Sequence, residues 1–170
     1  LERLRLKPDI AKSTKSSQLN RVDAEELKVA SGTRTYVVTP VLTRRAADRP
    51  VRSPEARLEE AVGLAAAIDL DVVGSGLVML QEIRPSTYLG KGKVEEIAAL
   101  VKADELTLVL MDCALSPVQQ RNLEKAWQVK VVDRTGLILE IFARRARTRE
   151  GRLQVELARL SYERSRLVRT

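Results

Sequence analysis

Apolar positions are sparse and without sustained period through residue 34 and then recur in two rhythms, the alternation of strands and the three-to-four spacing of helices. Tyr36-Val37-Val38-Thr39-Pro40-Val41-Leu42 is rich in strand formers, but its proline predicts an edge strand or one that bends at Pro40. Ser53-Pro54-Glu55 supplies an N-cap, a proline at the first helical position and an acid in the first turn. Leu58, Val62, Ala65 and Ile68 then share one helical face. Asp71 to Leu80 reads as a strand in which Gly74 and Gly76 predict a bulge. Val94, Ile97, Ala98 and Val101 mark a second helix. Leu106 to Met111 is an unbroken run bounded by charges, the pattern of a central strand covered on both faces. Ser116-Pro117-Val118-Gln119 is a capping box that opens a helix through Trp127, and Val129 to Val132 is a last short strand.

Strands alternating with helix-length connections predict an α/β fold, a small, mostly parallel four-stranded sheet with flanking helices. Beyond Asp133 the strand pattern stops. Leu137-Ile138 with Ile141-Phe142, and Leu153 with Leu157, Leu160 and Leu167, form two apolar stripes separated by the polar Arg147-Thr148-Arg149-Glu150, predicting an antiparallel α-helical hairpin. The expected organisation is a basic tail or linker over 1–34, a parallel α/β subdomain over 35–133 and the hairpin over 134–170. The helical pattern still runs at Thr170 with no stop signal, as expected of a chain that leads into a further domain.

Composition narrows the chemistry. The 170 residues include no histidine and one cysteine, Cys113, which removes the Ser-His-Asp triad, the Cys-His pair, the usual zinc ligand and an internal disulfide together. No catalytic or metal-binding set is expected, no apolar run is long enough to span a bilayer, and the cytoplasm is the expected compartment of a monomer. The net charge of +7 is divided unevenly: residues 1–53 carry +6, residues 54–133 carry −5 and residues 134–170 carry +6. Basic ends around an acidic centre point to a polyanion, with nucleic acid as the first expectation. Every cation of the last segment is arginine, whose planar fork binds phosphate in bidentate fashion and stacks on bases. Arg144, Arg145, Arg147, Arg149 and Arg152 cluster at the hairpin tip and are the candidate RNA contacts.

A second candidate is the loop Arg84-Pro85-Ser86-Thr87-Tyr88-Leu89-Gly90-Lys91-Gly92-Lys93, at the carboxyl end of the second strand. Ser86, Thr87, Tyr88, Gly90, Lys91, Gly92 and Lys93 would form a phosphate or nucleotide cradle before a helix N-terminus. It is not a Walker A loop, which would need glycine at 87 and serine or threonine at 94, where Thr87 and Val94 stand. A glycine-rich turn that only connects strand to helix remains the alternative. Asp112 is expected to cap a loop or helix rather than to act as a base or metal ligand. Asp133 or Thr135 is expected to cap the fourth helix, with Arg134 pairing with Asp133 or projecting outward. Trp127 and Phe142 are expected in the core, and Cys113 is read as a small buried residue.

The stretches Pro85 to Glu96, Leu115 to Glu124, Val132 to Ala143 and Leu153 to Ala158, in that order, resemble the N-terminal domain of the HflX translational GTPases. The resemblance covers Tyr36 to Leu167. It implies a module preceding a GTPase domain that docks on the large ribosomal subunit and its rRNA near the peptidyl transferase centre, with the hairpin tip reaching the RNA. It further implies ribosome splitting or rescue, with GTP and Mg2+ bound in a GTPase domain that this chain lacks. No cofactor is expected in the fragment, which stops before any Walker A loop and should not hydrolyse GTP alone. Two rival readings stand beside this one: an ATP-binding domain with its own RNA-directed activity, and a regulatory module that restrains the GTPase domain.

Overall fold

The computed structural model describes residues 29–43 and 52–167. In chain order these form β1 (Arg34–Leu42), α1 (Pro54–Ala66), β2 (Asp71–Leu80), α2 (Lys91–Ala103), β3 (Leu108–Met111), α3 (Pro117–Trp127), β4 (Lys130–Asp133), α4 (Arg134–Arg145) and α5 (Arg149–Arg166). The four strands make one parallel sheet in the order β2-β1-β3-β4. The greater part of the expected tail, residues 1–28, lies outside the described residues.

Helix starts form where the caps are. The Ser53 side chain accepts from the Ala56 amide, and Ser116 and Gln119 form the reciprocal capping box. Asp133 caps α4 by accepting from the Gly136 amide. Each cap satisfies amides that have no partner within the helix, so the boundaries follow from local chemistry.

Direction reverses across the sheet after β2, and with a fixed crossover hand the connecting helix must change face. Accordingly α1 and α4 cover one face and α2 and α3 the other. β3 serves both: Leu108 and Leu110 enter the layer with Ala61, Ala65, Leu137 and Ile141, while Val109 and Met111 enter the layer with Ile97, Leu123 and Trp127. Truncating a side chain buried this way costs about 2–5 kcal/mol for Leu→Ala, so the short strand is a large part of what holds the layers together. Trp127 lies in the core as expected and donates its indole N–H to the Val94 carbonyl at 2.9 Å.

β1 is a central strand, not the edge its proline predicts. The Val38 carbonyl accepts from the Asp112 amide, and alternate residues turn their backbone groups to the same side. The nitrogen of Pro40 therefore faces the β3 side two residues further on, where the four-residue β3 has already ended, and no ladder hydrogen bond is lost. The bulge falls where the glycines suggested. Register shifts between Thr35 and Tyr36, leaving Val73 as the extra residue, and the Tyr36 ring lies across Gly74 and Gly76. A Cβ at either glycine would sit 2.8–2.9 Å from a Tyr36 atom.

The hairpin forms, but its apolar stripes do not pack as expected. Leu137 and Ile141 enter the core, whereas Phe142, one helical step round from Ile141, is 54% exposed. Leu153, Leu157 and Leu160 are each more than half exposed. Instead of this stripe, α5 turns Val155, Arg159, Tyr162 and Arg166 inward.

Candidate functional site

Arg84 to Lys93 is held as a built turn. Arg84 and Tyr88 exchange backbone hydrogen bonds at 2.9 and 3.1 Å, and Tyr88 takes a left-handed backbone with φ of 64°. The Thr87 hydroxyl donates to the Leu89 carbonyl, and Leu89 is fully buried, pinning the loop to the core. From α3, Gln119 Nε2 donates to the Arg84 carbonyl and Asn122 Nδ2 to the Ser86 carbonyl. Ser86, Thr87 and Tyr88 are thus fixed by backbone and neighbouring side chains. Gly90 caps α2 without a side-chain bond, and a Cβ on Gly90 or Gly92 would meet nothing, so neither glycine is required by packing. Lys91 is exposed, while Lys93 pairs with Glu96 at 2.6 Å.

The hairpin turn is built differently. Thr148 accepts from the Gly151 amide at 3.0 Å, and a Cβ on Gly151 would stand 2.9 Å from the same Thr148 oxygen, so the cap needs glycine there. Arg145, Arg147, Arg149 and Arg152 are exposed, and none forms an ion pair with a described residue, although Arg152 donates to the Arg147 carbonyl. Arg144 is set apart from them. Its guanidinium contacts Glu140 at 3.2 Å, Asp69 at 3.4 Å and the Val29 carbonyl at 2.7 Å, tying α4 to the chain entering β1 and β2.

The two candidate regions adjoin helices on opposite faces of the sheet, α4 on one and α2 on the other. Arg144 reaches residues that precede β1 and β2, whereas the Gly90–Lys93 segment follows β2.

An open parallel sheet usually binds ligands where strand order reverses, here outside the carboxyl ends of β1 and β3. That crevice is occupied by ion pairs that sequence spacing did not reveal. Asp112, buried at the end of β3, meets Arg134 at 2.6 Å and Arg57 at 3.6 Å, and accepts from Thr39 at 3.4 Å. Arg134 continues to Glu60, and Glu60 to Arg52. Asp112 therefore anchors charges rather than capping a loop or helix, and Arg134 pairs with Asp112 and Glu60 in place of Asp133. The Asp112 contact raises the Arg134 pKa above its ordinary value. Beside it, burial pushes the Cys113 thiol up to about 12, with Asp133 and Asp112 adding to the rise, so it is no nucleophile at neutral pH.

Among the described residues no group of acids and cysteine could hold a metal ion, and no helix is long and apolar enough to cross a membrane.

Comparison with known proteins places this arrangement. Residues 55–143 match a family model described as the GTP-binding GTPase N-terminal region, and residues 145–170 match the GTP-binding GTPase middle region. The chain is 52% identical over 131 residues to the GTPase HflX of Magnetococcus marinus, covering 77% of this chain and 29% of that protein. It is 59% identical over 85 residues to the GTPase HflX of Escherichia coli K12, covering 50% and 20%. The chain thus spans less than a third of these relatives. A crystal structure of a GTP-binding protein from Sulfolobus solfataricus in complex with GDP shares the fold, with a TM-score of 0.56 at 23% identity, over 78% of this chain and 38% of that one.

Proposed function

The chain belongs to the HflX family of GTPases, and from that premise we propose that it is a docking module that binds the large ribosomal subunit through the turn between α4 and α5. The observation that carries the reading is the set of four exposed arginines, Arg145, Arg147, Arg149 and Arg152, without acidic partners among the described residues and presented on a capped, two-helix support. Unpaired guanidinium groups gain affinity by displacing counterions from phosphates, and they suit bidentate contact and stacking on unpaired bases of rRNA. Arg144 contributes by holding the support, since its guanidinium is already engaged by Glu140, Asp69 and the Val29 carbonyl. The expected site lies near the peptidyl transferase centre, in the cytoplasm, and the whole protein would use this contact in splitting or rescuing ribosomes. GTP and Mg2+ would belong to a GTPase domain outside these residues, because the Gly90–Lys93 loop lacks the hydroxyl that a Walker A loop places on magnesium.

Co-sedimentation with purified large subunits across a salt series tests the reading. The wild-type chain should bind at low salt with an affinity that falls steeply as salt rises, and the triple variant Arg145→Glu, Arg147→Glu, Arg149→Glu should not bind. Equal binding by the variant would refute it.

A second reading rests on Gly90 and Gly92, which are glycine without a packing reason and flank the exposed Lys91 at the start of α2. Such a bare helix start would let a nucleotide phosphate approach the backbone. Loss of nucleotide binding on Lys91→Ala and Lys93→Ala, with subunit binding intact, would favour it.

A further inference from the structure

Asp133 is fully buried, yet its carboxylate serves more than the cap of α4. Oδ1 accepts from the Gly136 amide at 2.9 Å and from the Tyr162 hydroxyl at 2.7 Å. Oδ2 accepts from the Leu115 amide at 3.2 Å and from Arg166 Nη2 at 2.9 Å. Arg166 Nη1 extends the cluster to the Leu115 carbonyl and Gln120 Oε1, and its guanidinium lies over the Tyr162 ring, 4.5 Å from the centroid. Tyr162 and Arg166 are on α5, and the remaining partners belong to the sheet subdomain and the first turns of α3 and α4.

α5 has no buried residue, and no α5 residue belongs to either apolar layer of the sheet. At the end of α5 remote from the hairpin turn, the attachment is thus polar. Opening it would return charged and hydroxyl groups to water while exposing little apolar surface, so the sheet would keep its own core. The two matched family regions meet between residues 143 and 145, which makes this cluster a contact between the N-terminal region and the middle region.

We propose that the cluster is a releasable joint, with α5 able to part from the sheet subdomain while that subdomain stays folded, and that Asp133 is the positioning residue that keeps it closed. The inference is independent of ribosome docking, because neither of its readouts involves RNA.

The test is hydrogen exchange on the whole chain, comparing amides of α5 near Tyr162 with amides of β3, alongside fluorescence of Trp127, the one tryptophan, which reports the sheet core. Asp133→Asn keeps an oxygen for the Gly136 amide but turns an NH2 group toward the Leu115 amide and Arg166. Exchange in α5 should quicken by about tenfold or more, the size expected for loss of a hydrogen bond to a charged group, with β3 exchange and Trp127 emission unchanged. Tyr162→Phe should act in the same direction and less. Acceleration of α5 and β3 together would overturn the proposal, as would unchanged α5 exchange. Should Asp133→Asn fail to fold, Arg166→Met, which leaves the α4 cap intact, decides between the same results.

Discussion

Cys113 gives the most direct quantitative test of the interior. Its thiol titrates at about 12 against an ordinary 9.0, chiefly because burial penalises the thiolate, with Asp133 and Asp112 raising it further and Tyr88 and Arg57 opposing. At pH 8 these two values differ about a thousandfold in thiolate fraction. The more basic thiolate recovers about 15- to 30-fold through its greater nucleophilicity, at a Brønsted slope near 0.4–0.5. A disulfide reagent should therefore react with the native chain about 30- to 60-fold more slowly than with the chain in urea, before any steric hindrance is counted. The native rate should still rise with pH beyond pH 10, where the unfolded rate has levelled.

The same shift governs stability. A folded pKa above the unfolded one means that the native state holds the proton longer, so this contribution is complete below pH 9.0 and is lost as pH climbs toward about 12. Cys113 contributes about 1.4 kcal/mol per pH unit in that window, an increment that should be missing in Cys113→Ala, while from pH 10.0 upward Tyr162 and Tyr36, both shifted upward chiefly by burial, add losses of their own. A native reaction rate that levels near pH 9, or an alkaline slope unchanged in the variant, would refute the reasoning.

Other perturbations test packing and charge. Gly74→Ala brings a methyl group within 2.9 Å of the Tyr36 ring and should cost about 1–3 kcal/mol in urea unfolding. In a Tyr36→Leu background the same change should be neutral or stabilising, because glycine within a strand costs about 0.5–1 kcal/mol relative to alanine. Glu105 follows α2 with φ of 49°, and Glu105→Gly should raise stability by about 0.5–1 kcal/mol in thermal melts by relieving a left-handed backbone. Arg134→Met leaves buried Asp112 with Arg57 at 3.6 Å and Thr39 at 3.4 Å and should cost about 2–3 kcal/mol, a value kept below that of a fully buried pair because Arg134 is partly exposed. Adding Asp112→Asn should recover part of that loss.

What could be read from the chain was chemistry acting over a few residues. Ser53, Ser116 and Asp133 cap helices because the amides they satisfy lie three positions away, and the run from Leu106 to Met111 announces a strand covered on both faces. Pairing between distant segments left no such mark. The central place of β1 depends on where β3 ends, which the local pattern around Pro40 does not contain. Arg134 meets Asp112 and Glu60 rather than its neighbour Asp133, because Asp133 is turned inward to receive four donors. The cluster of arginines in sequence likewise conceals that Arg144 works within the fold while Arg145, Arg147, Arg149 and Arg152 face outward. The partners of Tyr162 and Arg166 had no local signal at all.

The position of β1 also fixes an order of events. The first strand of the sheet is an inner one, and both of its neighbours come later: Tyr36 waits for Gly74 on one side and for Val109 on the other. Every strand pairing in the sheet is parallel and must span a helical crossover, so no hairpin can nucleate it, and loop closure must precede each ladder. During synthesis the segment from Arg34 to Leu42 leaves the ribosome with both edges open; the edge that β2 covers stays so until about 40 further residues have emerged, and the edge that β3 covers until about 70. Pro40 then has a second consequence: it places a residue without an N–H in the stretch of nascent chain most able to pair wrongly, a guard against misassembly in a strand destined for the middle of the sheet.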